Sequence, residues 1–249
     1  MKIVNEHLNP AKAGLVPPSP TGYLVLAAEI DRRPMFLPDG KAKTALLRDA
    51  KALAADLEGH PGVVRATVFR GFAHLVFGIN HRLMRRAAAT GVERARYDVV
   101  VLIETTGPAE AKELRGDAGY RRLAERLAGT ARRTFEVAAS NPRNMGEVDF
   151  HRQGVFLFNF FYGEDEKELV PVWEYTAGWW NTNTGLDNSR VLEPLDGERR
   201  DYGIINHCRW DHLRDVAPKM ALRPSFRRFV LANFAANGIS AQPALYRLA

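Results

Sequence analysis

One order of elements occurs twice in this chain, and that constrains the fold more than any motif. "GYLVLAAEI" (22–30) is a short apolar run rich in strand-forming residues, and reads as a strand. In "KTALLRDAKALAADLEGHPG" (43–62), Leu46, Leu47, Ala50, Leu53, Ala54 and Leu57 recur at helical spacing until Gly59, Pro61 and Gly62 stop the helix. "VVRATVFRGF" (63–72) and "YDVVVLIET" (97–105) read as strands. A helix follows over 108–129, with Pro108 at its start and Gly129 at its end, and "RRTFEVAAS" (132–140) is a fourth strand. The order is β-α-β-β-α-β, the split arrangement of a ferredoxin-like unit.

After "NPRNMGEVDFHRQ" (141–153) the order begins again. It gives a strand over 154–162, a helix over 168–182, strands over 189–195 and 201–210, a long helix through 226–238 and a last strand over 243–249. The organisation expected is an N-terminal extension (1–21), a first unit (22–140), a linker (141–153) and a second unit (154–249). The fold class is α+β. Two such units lay their antiparallel sheets face to face as a barrel with the helices outside.

The strings "HPGVVRATVFR" (60–70), "YDVVVLIET", "GVFLFNFFY" (154–162), "DYGIINHCRW" (201–210) and "PALYRLA" (243–249) in this order resemble the dimeric α+β barrel superfamily in its tandem form, one chain carrying both units. The resemblance covers 22–249 and rests on architecture. It implies cofactor-independent monooxygenases, isomerases or haem proteins as relatives, and carries over no catalytic residue, because fold does not give function.

With 249 residues and 46% hydrophobic content, the chain can bury a full core. Its apolar runs are too short to span a bilayer, and the N-terminus has no signal-peptide pattern. A single cysteine, Cys208, allows neither an internal disulfide nor a multi-thiolate metal site, so the cytoplasm is the expected compartment. The net charge of +6 comes from scattered basic residues without an aromatic-basic motif, so neither nucleic acid nor membrane is expected as a partner. No phosphate-binding loop or nucleophile elbow is present, and no metal site is expected. The imidazoles and carboxylate of His207, Asp211 and His212 lack a diagnostic spacing.

Two of the four tryptophans adjoin in "YTAGWWNTNTGLDN" (175–188). On a helix, Trp173, Ala177 and Trp180 form one stripe and Val172, Tyr175 and Trp179 a second. The first suits packing on its own sheet. The second must cover the other half of the chain, a second subunit or a ligand, which makes Tyr175 and Trp179 candidate ligand contacts. Together with Phe226, Phe229, Val230 and Phe234 the second stripe also predicts a homodimer through outer helix faces.

Strand alternation gives the other candidates, since residues i and i+2 share a face. If the wholly apolar faces take the helices, the faces carrying Glu29, Glu104, Asn159, His207 and Arg209 look into the barrel, and these five gather at one end. They could close the barrel as an ion-pair network or orient a largely apolar substrate. In the second reading the chain is a small-molecule enzyme doing acid–base chemistry without a cofactor, as a monooxygenase or isomerase. His207 is the base, Arg209 holds an anionic oxygen, Glu29 or Glu104 sets the imidazole tautomer, and Asn159 donates to a developing oxyanion. Two alternatives stand beside it: a haem protein, although the helix over 168–182 has no histidine, and a ligand-binding or assembly protein without chemistry.

Overall fold

The computed structural model describes residues 1–8, 11–31, 33–34 and 37–249. Its first unit comprises β1 (Gly22–Glu29), α1 (Lys41–Leu57), β2 (Val63–His74), α2 (His81–Ala89), β3 (Val99–Thr105), α3 (Pro108–Glu113), α4 (Ala118–Ala128) and β4 (Arg133–Asn144). The second comprises β5 (Val155–Gly163), α5 (Leu169–Thr184), β6 (Ser189–Pro194), β7 (Ile204–Trp210), α6 (Ala217–Leu222), α7 (Ala232–Ala236) and β8 (Ile239–Leu248). Within each unit the strand order is the ferredoxin-like one, β2-β3-β1-β4 and β8-β5-β7-β6, all antiparallel. The pairs β2–β8 and β4–β6 join the sheets edge to edge into a closed eight-stranded barrel. Closure leaves no strand edge unpaired in the ring.

Alternation along the first unit works as the sequence suggests. Leu24, Leu26, Ala28, Val99, Val101 and Ile103 pack beneath α1 and α4, while Tyr23, Val25, Ala27, Val100 and Leu102 point into the barrel. In the second unit the expectation for β5 is reversed. Phe156, Phe158 and Phe160 fill the barrel, and Val155, Leu157 and Phe161 face the helices together with Asn159. The register agrees: Phe158 stands opposite His207 and Asn159 opposite Asn206, and directly opposed residues share a face. The reason is volume. An eight-stranded barrel has an interior that side chains must fill, and three phenylalanines fill it where one amide cannot.

Other departures are local. A helix α2, N-capped by Asn80, is inserted between β2 and β3. The helix expected over 108–129 breaks at a 3-10 turn, Leu114–Gly116, and restarts where the Asp117 side chain accepts the Tyr120 N–H. The long final helix is instead α6, a π-helical turn Phe226–Leu231 and α7. That turn presents Phe226 and Phe229 to α5. No described helix is long and apolar enough to cross a membrane.

The N-terminal segment lies against the second unit. The Val4 N–H donates to Asn233 Oδ1 at 2.9 Å and the Val16 N–H to the Asn144 carbonyl at 2.8 Å. Ala11 lies against α5 where Gly178 gives it room, since a Cβ there would sit 1.9 Å from the Ala11 carbonyl oxygen. Gly178→Ala is therefore expected to lift the segment, and hydrogen exchange should show the Val16 amide losing protection by at least about tenfold. Unchanged protection would mean that helix and segment shift together and the close contact is dispensable.

Candidate functional site

The residues singled out from strand alternation separate into three places. Glu29 is at the far end of the barrel from Glu104, because β1 pairs Tyr23 with Glu104 but Glu29 with Arg133. There its carboxylate lies 3.4 Å from Arg133, which also binds Glu93 and covers the Tyr97 ring. Asn159 is on the helix side. Only Glu104, His207 and Arg209 share one end of the interior, and they do not bond to each other. Glu104 accepts from Arg190 Nη1 at 2.5 Å and lies 3.8 Å from Arg65 Nε, while Arg190 also donates to the Tyr23 hydroxyl at 3.2 Å. Arg209 binds Asp211 and the Gln153 carbonyl, both at 2.8 Å. Asp211 is thereby engaged, and no cluster of metal-binding side chains forms among the described residues.

His207 stacks between Phe150 and Phe158, with ring centroids 5.8 and 5.5 Å away. It is 1% exposed, and neither ring nitrogen meets a hydrogen-bond partner among the described residues. Burial, and then the Arg190 charge, push its pKa down to about 3. No carboxylate holds its tautomer, so the arrangement expected of a general base is not formed. Arg190, the residue that organises this end, and Phe150, which closes it, were not among the sequence candidates. Arg190 shares a strand face with the inward Leu192, which is a readable signal; Phe150 lies in the linker, where no periodicity points to it.

The tryptophan stripes are both internal. Trp173, Ala177 and Trp180 face the sheet, as expected of the first stripe. The second is covered by the chain's own π-helical turn: Trp179 is 1% exposed, packs 5.1 Å from Phe226 and donates Nε1–H to Ser225 Oγ at 3.0 Å, and Tyr175 packs 5.3 Å from Phe229. Trp179 is closed off in this arrangement, whereas Tyr175 is half-buried and also lines an open surface cavity with Arg143, Pro171 and Glu174. The face that predicted a homodimer is consumed within one chain.

Between α5 and the sheet lies a cleft that no sequence pattern announced. Trp173, Trp180 and Trp210 wall it, Thr176, Ser189 and Cys208 line it, and Asn159 and Asn206 form its polar floor. It is narrow, with room for about one water molecule between the side chains. Asn206 is engaged, donating to Ser189 Oγ at 2.5 Å and to the Arg190 carbonyl at 3.1 Å. Asn159 Oδ1, by contrast, is buried without a partner among the described residues. Such a group costs about 1–3 kcal/mol when left unsatisfied, so a ligand or water that bonds to it is favoured. Burial holds the Cys208 thiol well above its ordinary pKa, and it stays protonated. Haem does not fit these residues. No histidine lines the cleft and Cys208 is a buried, protonated thiol, so the lining offers haem iron no axial ligand.

No family model matches the chain, and no curated protein matches it. Solved structures do. An anthrone oxidase-like protein superposes with a TM-score of 0.61 at 10% identity, over 91% of this chain and 90% of that one. This is a ferredoxin-like α+β barrel. A protein provisionally assigned as a monooxygenase, from Fusobacterium nucleatum, gives 0.52 at 8% identity over 92% of each chain. A chlorite dismutase variant from Candidatus Nitrospira defluvii gives 0.50 at 9% identity, over 93% of this chain and 92% of that one. At these identities the likeness is one of fold.

The buried imidazole gives a test of the barrel end. Unfolded, His207 takes up a proton near pH 6.5; folded, it does so only near 3. The unfolded state then binds more protons between those values, so stability falls as pH drops through that window, by on the order of a few kcal/mol. His74, held down to about 4 mainly by burial, adds to the same limb. Urea unfolding at pH 7 and 4.5 is expected to show a smaller acid loss for His207→Leu than for the wild type. Equal losses would mean that His207 is solvated.

Proposed function

We propose that the cleft between α5 and the second sheet is the active site of a cofactor-independent oxygenase for a planar, largely apolar aromatic substrate. The unpartnered Asn159 Oδ1 at the bottom of a tryptophan-walled cleft carries this reading. Indole walls suit a flat ring system, and a free amide oxygen suits one hydroxyl donor on it. The fold shared with the anthrone oxidase-like protein and the Fusobacterium monooxygenase supports the same class. An anthrone-type substrate needs little from the protein, because its methylene C–H is acidic and its anion reduces O₂ directly. The methylene becomes a carbonyl, O₂ is consumed and water is released.

The side chains then bind and orient rather than carry protons. Asn159 Oδ1 accepts from a hydroxyl of the substrate, Trp173, Trp180 and Trp210 clasp the ring, water takes up the methylene proton, and Asn206, fixed by Ser189, holds the floor. Cys208 remains a spectator thiol. Because the cleft is narrow, binding requires the tryptophans on α5 to move apart. The lack of any other titratable lining group favours a second reading, a binding protein without chemistry.

Oxygen uptake with an anthrone as substrate separates the two. Asn159→Ala is expected to lower kcat/KM by about tenfold, as loss of one orienting hydrogen bond does, while the melting temperature stays within a few degrees. Saturable binding with no oxygen uptake would leave the binding reading alone. Uptake indifferent to Asn159→Ala would contradict the assigned site.

A further inference from the structure

The opposite face of the same sheet presents a separate opportunity. At the barrel end around Glu104, three buried side chains keep polar atoms without partners: His207 at both ring nitrogens, Arg190 at Nε and Arg209 at Nε. They are 1%, 9% and 6% exposed. Arg65 joins them from β2, and Asp211 already engages Arg209. Around Glu104, then, two guanidiniums, Arg65 and Arg190, share one carboxylate. Positive charge is left over at an enclosed place, which favours an anion.

What closes this end is one aromatic ring from the linker. Phe150 stacks on Phe156 at 5.9 Å and on His207 at 5.8 Å, meets Phe69 edge-on at 5.9 Å, and carries the Arg65 guanidinium over its face at 5.3 Å. Val148 enters the same interior two residues earlier. The intervening backbone is not hydrogen-bonded to a strand: from 147 to 152 the recorded bonds are local ones to the Asp149 carboxylate. Outside the ring lies an open groove lined by Phe150, Arg65, Thr67, Lys51 and His151. Phe150 thus sits as a side chain in a cage shaped for a flat ring, on a segment that can leave without breaking the sheet.

The geometry points to a second binding site here, for a small aromatic carboxylate whose ring takes the place of Phe150 and whose anionic group meets Arg65 and Arg190. Glu104 faces the same guanidiniums and opposes the anion, so the ring cage and Arg65 carry the affinity. The neutral His207 offers the incoming ring a stacking surface and a hydrogen-bond acceptor rather than a charge. This site is distinct from the cleft under α5, which lies across the sheet on the side of Cys208 and Asn159.

Calorimetric titration with 1-naphthoate, and with 1-naphthalenemethanol as its neutral counterpart, tests the assignment. Phe150→Ala is expected to bind 1-naphthoate at least about tenfold more tightly than the wild type, because the competing ring is gone. Arg65→Gln, at a half-exposed position, should weaken 1-naphthoate severalfold and the alcohol distinctly less, since the alcohol loses only the contact of Arg65 with its ring. In the wild type, 1-naphthoate should speed hydrogen exchange over residues 147–152, a reading that stands even where Phe150→Ala does not fold. Three results would each overturn the proposal: equal affinity in Phe150→Ala and wild type, indifference to Arg65→Gln, or an affinity that follows Asn159→Ala instead. An unchanged exchange pattern over 147–152 at saturating 1-naphthoate would do the same.

Discussion

The barrel has to be filled, and everything else in the structure follows from how that is done. Ten aromatic side chains, Tyr23, Phe69, Tyr97, Phe135, Phe150, Phe156, Phe158, Phe160, Tyr202 and Tyr246, occupy the interior with a set of smaller aliphatic ones. Edge-to-face contacts such as Phe69–Phe158 at 4.9 Å and Phe135–Tyr202 at 5.0 Å tie opposite sheets together. Once β5 turns its three phenylalanines inward, alternation forces Asn159 outward beneath α5. The cleft and its free amide are consequences of filling the barrel. Loss of one such ring, as in Phe158→Ala, would cost about 3–5 kcal/mol, a large share of a domain's stability.

The second constraint is charge. The Arg190–Glu104 pair is buried, and such pairs hold only when both partners are present, since removing one strands the other in a medium of low dielectric. The chain meets that cost with Tyr23 and Arg65 around the pair and keeps His207 neutral beside it. At the other end Arg133 performs the matching service for Glu29 and Glu93. Each mouth of the barrel is thereby closed by its own guanidinium. The polar groups seen in the strands are distributed between the two mouths and the helix side.

The architecture was legible because it depends on element order and on period-2 alternation, both of which survive without any motif. Glu104, His207 and Arg209 share one end because each comes late in its strand and β3 and β7 run in the same direction. Asn159 was misplaced for a physical reason: both faces of "VFLFNFFY" are apolar enough to bury, and side-chain volume, not polarity, decides between them. Glu29 was misplaced because strand direction, which sends it away from Glu104, comes from pairing rather than from the strand itself. Tyr175 and Trp179 were read as surplus surface because a π-helical turn, which rotates Phe226 and Phe229 onto them, has no sequence signature. Phe150 acts through contacts with residues far along the chain, Phe69, Phe156 and His207, and no local pattern encodes those.

The central claim is that Asn159 faces a ligand cleft on the helix side of β5 while the phenylalanines on either side of it are locked in the barrel. The side-chain amide of Asn159, followed in a ¹⁵N–¹H correlation spectrum during anaerobic titration with an anthrone, reads this directly. Its resonances are expected to shift saturably, alongside the indole N–H of Trp180, with the ring signals of Phe158 unmoved. An Asn159 amide that stays in place while the Phe158 signals shift would put the ligand in the barrel interior and contradict the account.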